Sequence, residues 1–203
     1  MLAEETGAAL HFRTITTAAA IELIRSARQR GVAVTCGTTP AHLLLSDIAM
    51  SGFRTFAHLS PPLRSEADRQ AVLAGIADGT IDVLASGHDP RGPEEKRLPF
   101  ADSSPGAAGA ETLLALGLGL VRDGVVDLPR LFALLAANPA AVLGVQAGRL
   151  DIGEPADLLA FNPETPWQIS ADRFVGLAGN TPFDGMPTQG RVVQLYKGGT
   201  RLL

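Results

Sequence analysis

Short apolar runs alternate with longer segments of helical periodicity along the first two thirds of the chain, and this alternation constrains the fold most strongly. The apolar runs at residues 8–12, 32–36 and 81–86 predict three strands. Such alternation is typical of βα units around a parallel sheet. A closed barrel of parallel strands needs about eight strands and roughly 250 residues. The sequence therefore predicts either a fragment of a longer polypeptide or a truncated chain whose open sheet edge a partner must cover.

Helical segments lie between and after these strands. Thr16 and Thr17 offer N-cap hydroxyls to the first helix, and Ser65 with Asp68 forms a capping-box pattern before a later one. Pro40 opens a short helix that is expected to reach about residue 50. The predicted helices cover residues 16–31, 40–50, 65–79, 109–122 and 128–137. The polar, proline-rich segment 91–105 is predicted to be a long loop, either a solvated excursion or a functional one.

The pattern changes after Asn138-Pro139, where short apolar runs are separated by glycine and proline. Residues 148–150, 156–161 and 191–196 predict strands of a separate β element. The sequence thus predicts an α/β region over residues 1–145 and a β region over residues 146–203.

Composition excludes several classes of partner. The net charge of −4 comes from mixed signs without a basic run, so neither nucleic acid nor an anionic membrane is favoured. The acidic N-terminus lacks the features of a secretory signal, and the longest apolar stretch, residues 113–121, is far shorter than the roughly 20 residues that span a bilayer. Cys36 is the single cysteine and cannot form an internal disulfide. These features predict a cytoplasmic protein.

Three stretches carry a resemblance to a known family, namely Thr-Thr-Pro-Ala-His-Leu-Leu-Leu at 38–45, Ser-Pro-Pro-Leu-Arg at 60–64, and the segment 79–90 that ends in Gly-His-Asp-Pro. Further matches are Glu94-Glu95-Lys96, Asn138-Pro139-Ala140 and residues 180–185. In order and spacing the chain resembles dihydroorotases of the longer, bacterial type, which belong to the amidohydrolase superfamily. Each match is weak by itself, but their joint specificity is high.

The resemblance implies the C-terminal part of a TIM (β/α)8 barrel, comprising the last three βα units, followed by the C-terminal strands of a small β-sandwich. In the family, barrel strands that would lie upstream of this sequence supply a His-x-His pair and further metal ligands.

The resemblance also implies a chemistry in which a metal lowers the pKa of its bound water and a carboxylate moves the proton. Counting back from Ile24-Arg25 places Thr14 where the family has a metal-binding histidine, and Gly87 stands where the family has an aspartate. A threonine hydroxyl is a poor zinc ligand, and glycine can neither coordinate a metal nor carry a proton. We therefore expect no catalytic residue, no metal site and no cofactor, with zinc only if the chain belongs to an active enzyme.

Other departures from the family lie at Ala41, Ser60 and Arg91, where the family has a second histidine, an asparagine and a substrate-contacting histidine. Arg91 is expected to place a positive charge at the mouth of the barrel, where an anionic small molecule could bind. The expected remnant of the substrate pocket consists of Ser60, His88, Arg91, Pro105 and Gly106.

The four histidines have ordinary structural interpretations. His11 is expected to face away from Thr14, His42 to pack under the helix that follows it, and His58 to be exposed in a turn. For His88, with Asp89, structural hydrogen bonding and ligand contact both stay open.

Three functions compete. The first is a non-catalytic dihydroorotase-like protein of pyrimidine biosynthesis that assembles with aspartate carbamoyltransferase or with itself. The second is a fragment of an active zinc dihydroorotase, which interconverts N-carbamoyl-L-aspartate and dihydroorotate. The third is a diverged amidohydrolase that uses His88, Asp89 and Arg91 on another substrate.

Overall fold

The computed structural model describes residues 2–203 and contains a three-stranded parallel sheet in the order β1-β2-β3. Its strands are β1 (Leu10–Phe12), β2 (Val34–Thr38) and β3 (Val83–Leu84). Leu10 pairs with Val34 at one side of β2, and Thr38 pairs with Leu84 at the other. The three predicted βα units and the α/β class are therefore confirmed, and these three strands do not close a barrel.

A second, antiparallel sheet follows, formed by β4 (Leu158–Gln168), β5 (Pro187–Lys197) and β6 (Thr200–Arg201). The predicted strands at 156–161 and 191–196 overlap β4 and β5, which are both longer than predicted. The prediction of a strand at 148–150 was wrong. Gly148 adopts φ +73°, and a Cβ atom there would lie 2.8 Å from the Ala136 backbone, so this segment is an irregular bend packed against the helical backbone.

The helices are α1 (Leu2–Thr6), α2 (Ala18–Gln29), α3 (Pro40–Leu44), α4 (Glu66–Ala77), α5 (Pro93–Arg97), α6 (Leu113–Arg122), α7 (Leu128–Phe132) and α8 (Asn138–Leu143). The hydroxyl of Thr17 accepts from Ala20 N at the start of α2, and that of Ser65 accepts from Asp68 N at the start of α4. These two N-caps confirm the sequence prediction.

Two predicted helices differ from the structure. The helix from Pro40 ends at Leu44 instead of near residue 50, because Leu45 is extended and Asp47 N donates to Arg64 O. The helix predicted to end at residue 137 passes through a π-helical turn, Ala133–Ala137, and continues into α8. Pro139 has no N–H to donate to the carbonyl four residues earlier, which lies in the π-helical turn, so the regular α-helical hydrogen bonding is interrupted there.

The segment 91–105 is not wholly irregular, because it contains α5. Glu95 accepts from Gly92 N at 2.9 Å, which caps the first turn of this short helix. The segment is therefore ordered by its own hydrogen bonds and packs against the turn at residues 55–57, which forms a 3-10 helix.

Apolar side chains between the parallel sheet and its helices form the main core. Ile21, Ile76, Leu84, Leu131 and Leu134 belong to this cluster and are almost fully buried. A second cluster joins the turns around Ala57 and Leu63 to the end of β4 through Ile169 and Phe183. It therefore packs the antiparallel sheet against the carboxyl ends of the parallel strands.

Two further observations concern membrane-spanning helices and the predicted boundary between the two regions. Within residues 2–203, no helix is both long and apolar enough to cross a bilayer. The predicted boundary between residues 145 and 146 falls between α8 and β4, and it stays a prediction.

Candidate functional site

A cavity of about 300 Å³ lies at the carboxyl ends of the three parallel strands. Thr14 follows β1, Thr39 follows β2 and Gly87 follows β3, and all three residues line this cavity. Parallel α/β folds place their ligands at this end of the sheet. The cavity is thus the candidate functional site.

Thr14 and Gly87, the two positions expected to have lost metal ligands, face the same cavity. Gly87 has φ +62°, and a Cβ atom built there would lie 2.9 Å from Cγ2 of Thr39. A carboxylate at position 87 would therefore require the backbone or Thr39 to shift. Among residues 2–203, no group of three or more His, Cys, Asp or Glu side chains converges to hold a metal ion. The residues present in this cavity do not fit a zinc site.

Both ring nitrogens of His42 form hydrogen bonds within the protein. Its Nε2 donates to the carbonyl of Pro61 at 3.0 Å, so its Nδ1 accepts from the hydroxyl of Thr39 at 2.8 Å. Burial, and secondarily the nearby charge of Arg64, lowers the pKa of His42, which the Pro61 hydrogen bond only partly opposes. The ring is therefore a neutral tie between α3 and the turn at Pro61.

His88 stands at the exposed end of β3. Its Nδ1 accepts from Gly109 N at 3.2 Å and from Ala110 N at 3.4 Å. The ring is thus oriented by two backbone donors on the segment that precedes α6.

The other two histidines lie away from the cavity lining. His11 forms a hydrogen bond with Thr35 across the parallel sheet. His58 was expected to be exposed, but it is half-buried, because its ring stacks on Phe100 at 4.6 Å between centroids and its Nδ1 contacts Ser103 Oγ at 2.8 Å.

Three residues of the expected pocket remnant, Ser60, His88 and Gly106, line the cavity, while Arg91 and Pro105 do not. The guanidinium of Arg91 forms an ion pair with Asp89 at 2.9 Å and donates to the carbonyl of Pro105 at 2.8 Å. The sequence had suggested that Arg91 places a free positive charge at the mouth of the barrel. That prediction was wrong, because the guanidinium is bound to groups of its own loop.

The cationic side chain that lines the cavity is Arg13, which the sequence analysis missed. It directly precedes Thr14 at the end of β1. A charged residue next to a proposed ligand position at a strand end is the signal that could have identified it.

Two buried polar side chains, those of Lys96 and Asn180, connect segments next to the cavity by hydrogen bonds. Nζ of Lys96 donates to the carbonyls of Thr55, His58 and Ser104, at 3.1, 3.3 and 2.7 Å. Burial, followed by the charge of Arg91, lowers the pKa of Lys96. These bonds tie the loop after α5 to the turn at residues 55–58.

The second is Asn180, whose side chain joins the two segments at the rim. Its Oδ1 accepts from Arg91 N at 3.1 Å and its Nδ2 donates to Gly106 O at 3.1 Å. A Cβ atom at position 106 would lie 2.5 Å from Asp89 O, so only glycine permits this approach of the two backbones. Lys96 and Asn180 belong to motifs noted in the sequence, but those motifs did not indicate this supporting role.

The chain is similar in sequence to proteins of one family. The model of the amidohydrolase family matches residues 3–202. A dihydroorotase of a Geobacter species is 42% identical over 192 residues, which are 95% of this chain and 45% of that protein. A dihydroorotase-like protein of Pseudomonas aeruginosa is 41% identical over 95% of this chain and 45% of its own length. The chain thus spans about half the length of the curated relatives it matches.

Among solved structures, the L-hydantoinase (dihydropyrimidinase) of Arthrobacter aurescens superposes with a TM-score of 0.93 at 29% identity. The match covers 99% of this chain and 46% of that one. The parallel sheet and the small antiparallel sheet therefore correspond to part of a larger structure.

Proposed function

The chain belongs to the amidohydrolase family and is a homologue of dihydroorotases, and we propose that it is a non-catalytic dihydroorotase-like protein of pyrimidine biosynthesis. Its three parallel strands would be the last three βα units of a TIM barrel, and β4 to β6 would be strands of a small β-sandwich. The strand order β1-β2-β3 and the superposition on about half of a hydantoinase support this assignment.

The observation that carries the proposal is the pair Thr14 and Gly87, which line one cavity at the strand ends. The resemblance puts a metal-binding histidine and a proton-carrying aspartate at these positions. Neither replacement supplies a zinc ligand of ordinary strength or a group that can exchange a proton near neutral pH.

The neighbouring side chains do not compensate. Both ring nitrogens of His42 are used in hydrogen bonds, and Nδ1 of His88 is held by two backbone donors. Asp89, a carboxylate that lines the same cavity as Gly87, is paired with Arg91. Recruiting any of these groups as a ligand would require existing interactions to be broken.

We further propose that the protein assembles with aspartate carbamoyltransferase. The resemblance supports this partner, since the family includes chains that have lost metal ligands but remain part of such assemblies. The edge of the sheet at β1 is open in this chain, where Leu10 and Phe12 are 41% and 46% exposed, and either preceding barrel strands or a partner protein would cover it.

The main alternative is an active zinc dihydroorotase of which this chain is a part. The relatives named dihydroorotase favour it, and so does the fact that this chain spans only 45% of their length, because ligands could come from the remainder. The third possibility, an amidohydrolase acting on another substrate through His88, Asp89 and Arg91, has less support, because Arg91 does not line the cavity and is paired with Asp89.

Metal content and turnover separate the proposal from the alternatives. We expect the protein, purified together with any segment or subunit that completes its barrel and then dialysed, to contain far less than about one zinc per chain and to leave N-carbamoyl-L-aspartate unchanged. A zinc-containing dihydroorotase purified in the same way is the positive control. Stoichiometric zinc together with cyclisation of the substrate would show that the protein is an enzyme.

Sedimentation with and without aspartate carbamoyltransferase tests the partnership separately. We expect a faster, mixed species when both proteins are present. If the two proteins sediment independently at micromolar concentration, the proposed partnership is wrong. The non-catalytic assignment is not affected by that result, because the zinc measurement tests it.

A further inference from the structure

A second concave surface lies where α6 meets the antiparallel sheet. Two adjoining cavities form it, of about 370 and about 630 Å³, and Trp167 and Gln168 line both. Arg173 and Arg191 line the first cavity and Arg122 lines the second, so we call the whole surface the arginine groove. None of these five residues lines the cavity at the strand ends, and the groove is therefore a separate place on the molecule.

The guanidinium groups of the arginine groove are available to a ligand. Within residues 2–203, none of the three forms an ion pair, and only Arg122 donates a hydrogen bond, at 3.5 Å to the carbonyl of Gln189. The acidic side chain among the lining residues is Glu111, whose two oxygens accept from Val175 N and Gly176 N. Positive charge therefore predominates in the groove, although the net charge of the chain is −4.

Trp167 holds Arg191 in position. The guanidinium carbon of Arg191 lies 4.8 Å from the centre of the Trp167 ring, and the indole Nε1 donates to Gly190 O at 2.9 Å. A guanidinium that stacks on an aromatic ring keeps its N–H groups in the plane free to form two parallel hydrogen bonds with a carboxylate. Arg191 is thus oriented for a carboxylate before any ligand binds.

The distribution of the charges favours an extended ligand. Arg122 lies at the end of α6, Arg173 in a 3-10 turn and Arg191 on β5. Because Arg122 lines one cavity and the other two arginines line the next, a small anion would meet only one end of the groove. A peptide with several carboxylates would reach both ends, and its methylene groups would pack on apolar lining residues such as Phe174.

We propose that the arginine groove is a docking surface for an acidic peptide segment of a partner protein, whose carboxylates pair with Arg122, Arg173 and Arg191. This inference goes beyond the proposed function, because it holds whether or not the cavity at the strand ends is catalytic. Ion pairs at an open groove are exposed to solvent, so we expect binding that weakens as the salt concentration rises.

Calorimetric titration with hexaglutamate and with hexaglutamine, both with blocked termini, tests the proposal, because the two peptides have the same length and differ in charge. The protein is purified as for the zinc measurement. We expect hexaglutamate to bind at least about tenfold more tightly at low salt, since three exposed ion pairs contribute about two- to threefold each. The emission of Trp167 should change on binding, and Trp167→Phe should remove that change, which locates the peptide in the groove.

Replacing all three arginines of the groove with glutamine should abolish the preference for hexaglutamate. The matched control changes the net charge by the same amount at exposed positions that do not line the groove, and it should keep the preference. It consists of Arg97→Gln, Arg149→Gln and Arg201→Gln. Circular dichroism of both triple variants establishes that the fold is retained.

Two results would overturn the proposal, namely equal binding of the two peptides to the unaltered protein, or a preference that survives replacement of the three arginines of the groove. Competition with inorganic phosphate tests the kind of ligand. If phosphate displaces hexaglutamate at a concentration no higher than the peptide itself needs for binding, the groove is a site for a small anion and the peptide proposal is wrong. A requirement for much more phosphate supports the extended ligand.

Discussion

At the scale of single residues, Lys96 shows how a charged side chain can serve a wholly structural purpose. It is 4% exposed, and its ammonium group donates to three backbone carbonyls from two separate turns. Hydrogen bonds from a charged donor are stronger than neutral ones, and a lost donor leaves buried acceptors unsatisfied. The cavity wall near Gly106 therefore depends on Lys96, because Gly106 N donates to the same His58 carbonyl.

Replacing Lys96 with methionine keeps most of the side-chain volume but removes all three donors. We expect the free energy of unfolding to fall by about 3 kcal/mol, measured by urea denaturation. The matched control is Arg97→Met, an exposed neighbour whose pair with Glu94 should be worth less than about 1 kcal/mol. Equal effects of the two substitutions would contradict the assigned role of Lys96.

At the scale of elements, the antiparallel sheet meets α6 through a close approach at Gly190. This residue has φ +104°, and a Cβ atom there would lie 2.4 Å from Cδ1 of Leu118. Its carbonyl accepts from Nε1 of Trp167 at 2.9 Å, which ties β4 to β5 at the same point. A side chain at position 190 would thus meet both an unfavourable backbone conformation and a packed neighbour.

Gly190→Ala is therefore expected to reduce the free energy of unfolding by about 2–4 kcal/mol. Fluorescence of Trp167, the single tryptophan, reports on the same region during denaturation. Gly176→Ala is the control, since a Cβ atom there would lie 3.5 Å from Oε1 of Glu111, which is ordinary contact. If both alanine variants unfold like the original protein, the close packing at Gly190 is not important for stability.

At the scale of the whole molecule, the parallel sheet has an edge strand, β1, with half-exposed apolar side chains. Unpaired backbone groups and apolar side chains at a sheet edge promote association with other chains. In the described part of the chain, the edge at β1 is therefore expected to pair with additional protein, which could be further sequence, a second copy or another protein.

We expect this polypeptide by itself to sediment as a concentration-dependent mixture of species. Phe12→Lys should shift the mixture towards monomer, because a charge at an edge strand opposes pairing. Leu23→Lys, which removes an apolar side chain that is 71% exposed on α2, controls for a general change in solubility. A compact, two-state monomer at every concentration would show that the argument from the open edge is wrong.

The sequence by itself determined the features that depend on neighbouring residues. Apolar periodicity and the caps at Thr17 and Ser65 predicted the order of strands and helices, because a cap satisfies backbone donors within its own first turn. The positions of Thr14 and Gly87 at strand ends followed from the same pattern, and the structure places both at one cavity.

The tertiary structure decided whatever depends on residues far apart in the chain. Arg91 turns towards Asp89 and Pro105, and Arg13 lines the cavity, since a long, flexible side chain goes where a partner or open space lies. Lys96 is buried only because three carbonyls from two turns converge on it. Local periodicity carries no information about such convergence, because the partners are brought together only when the helices pack on the sheet.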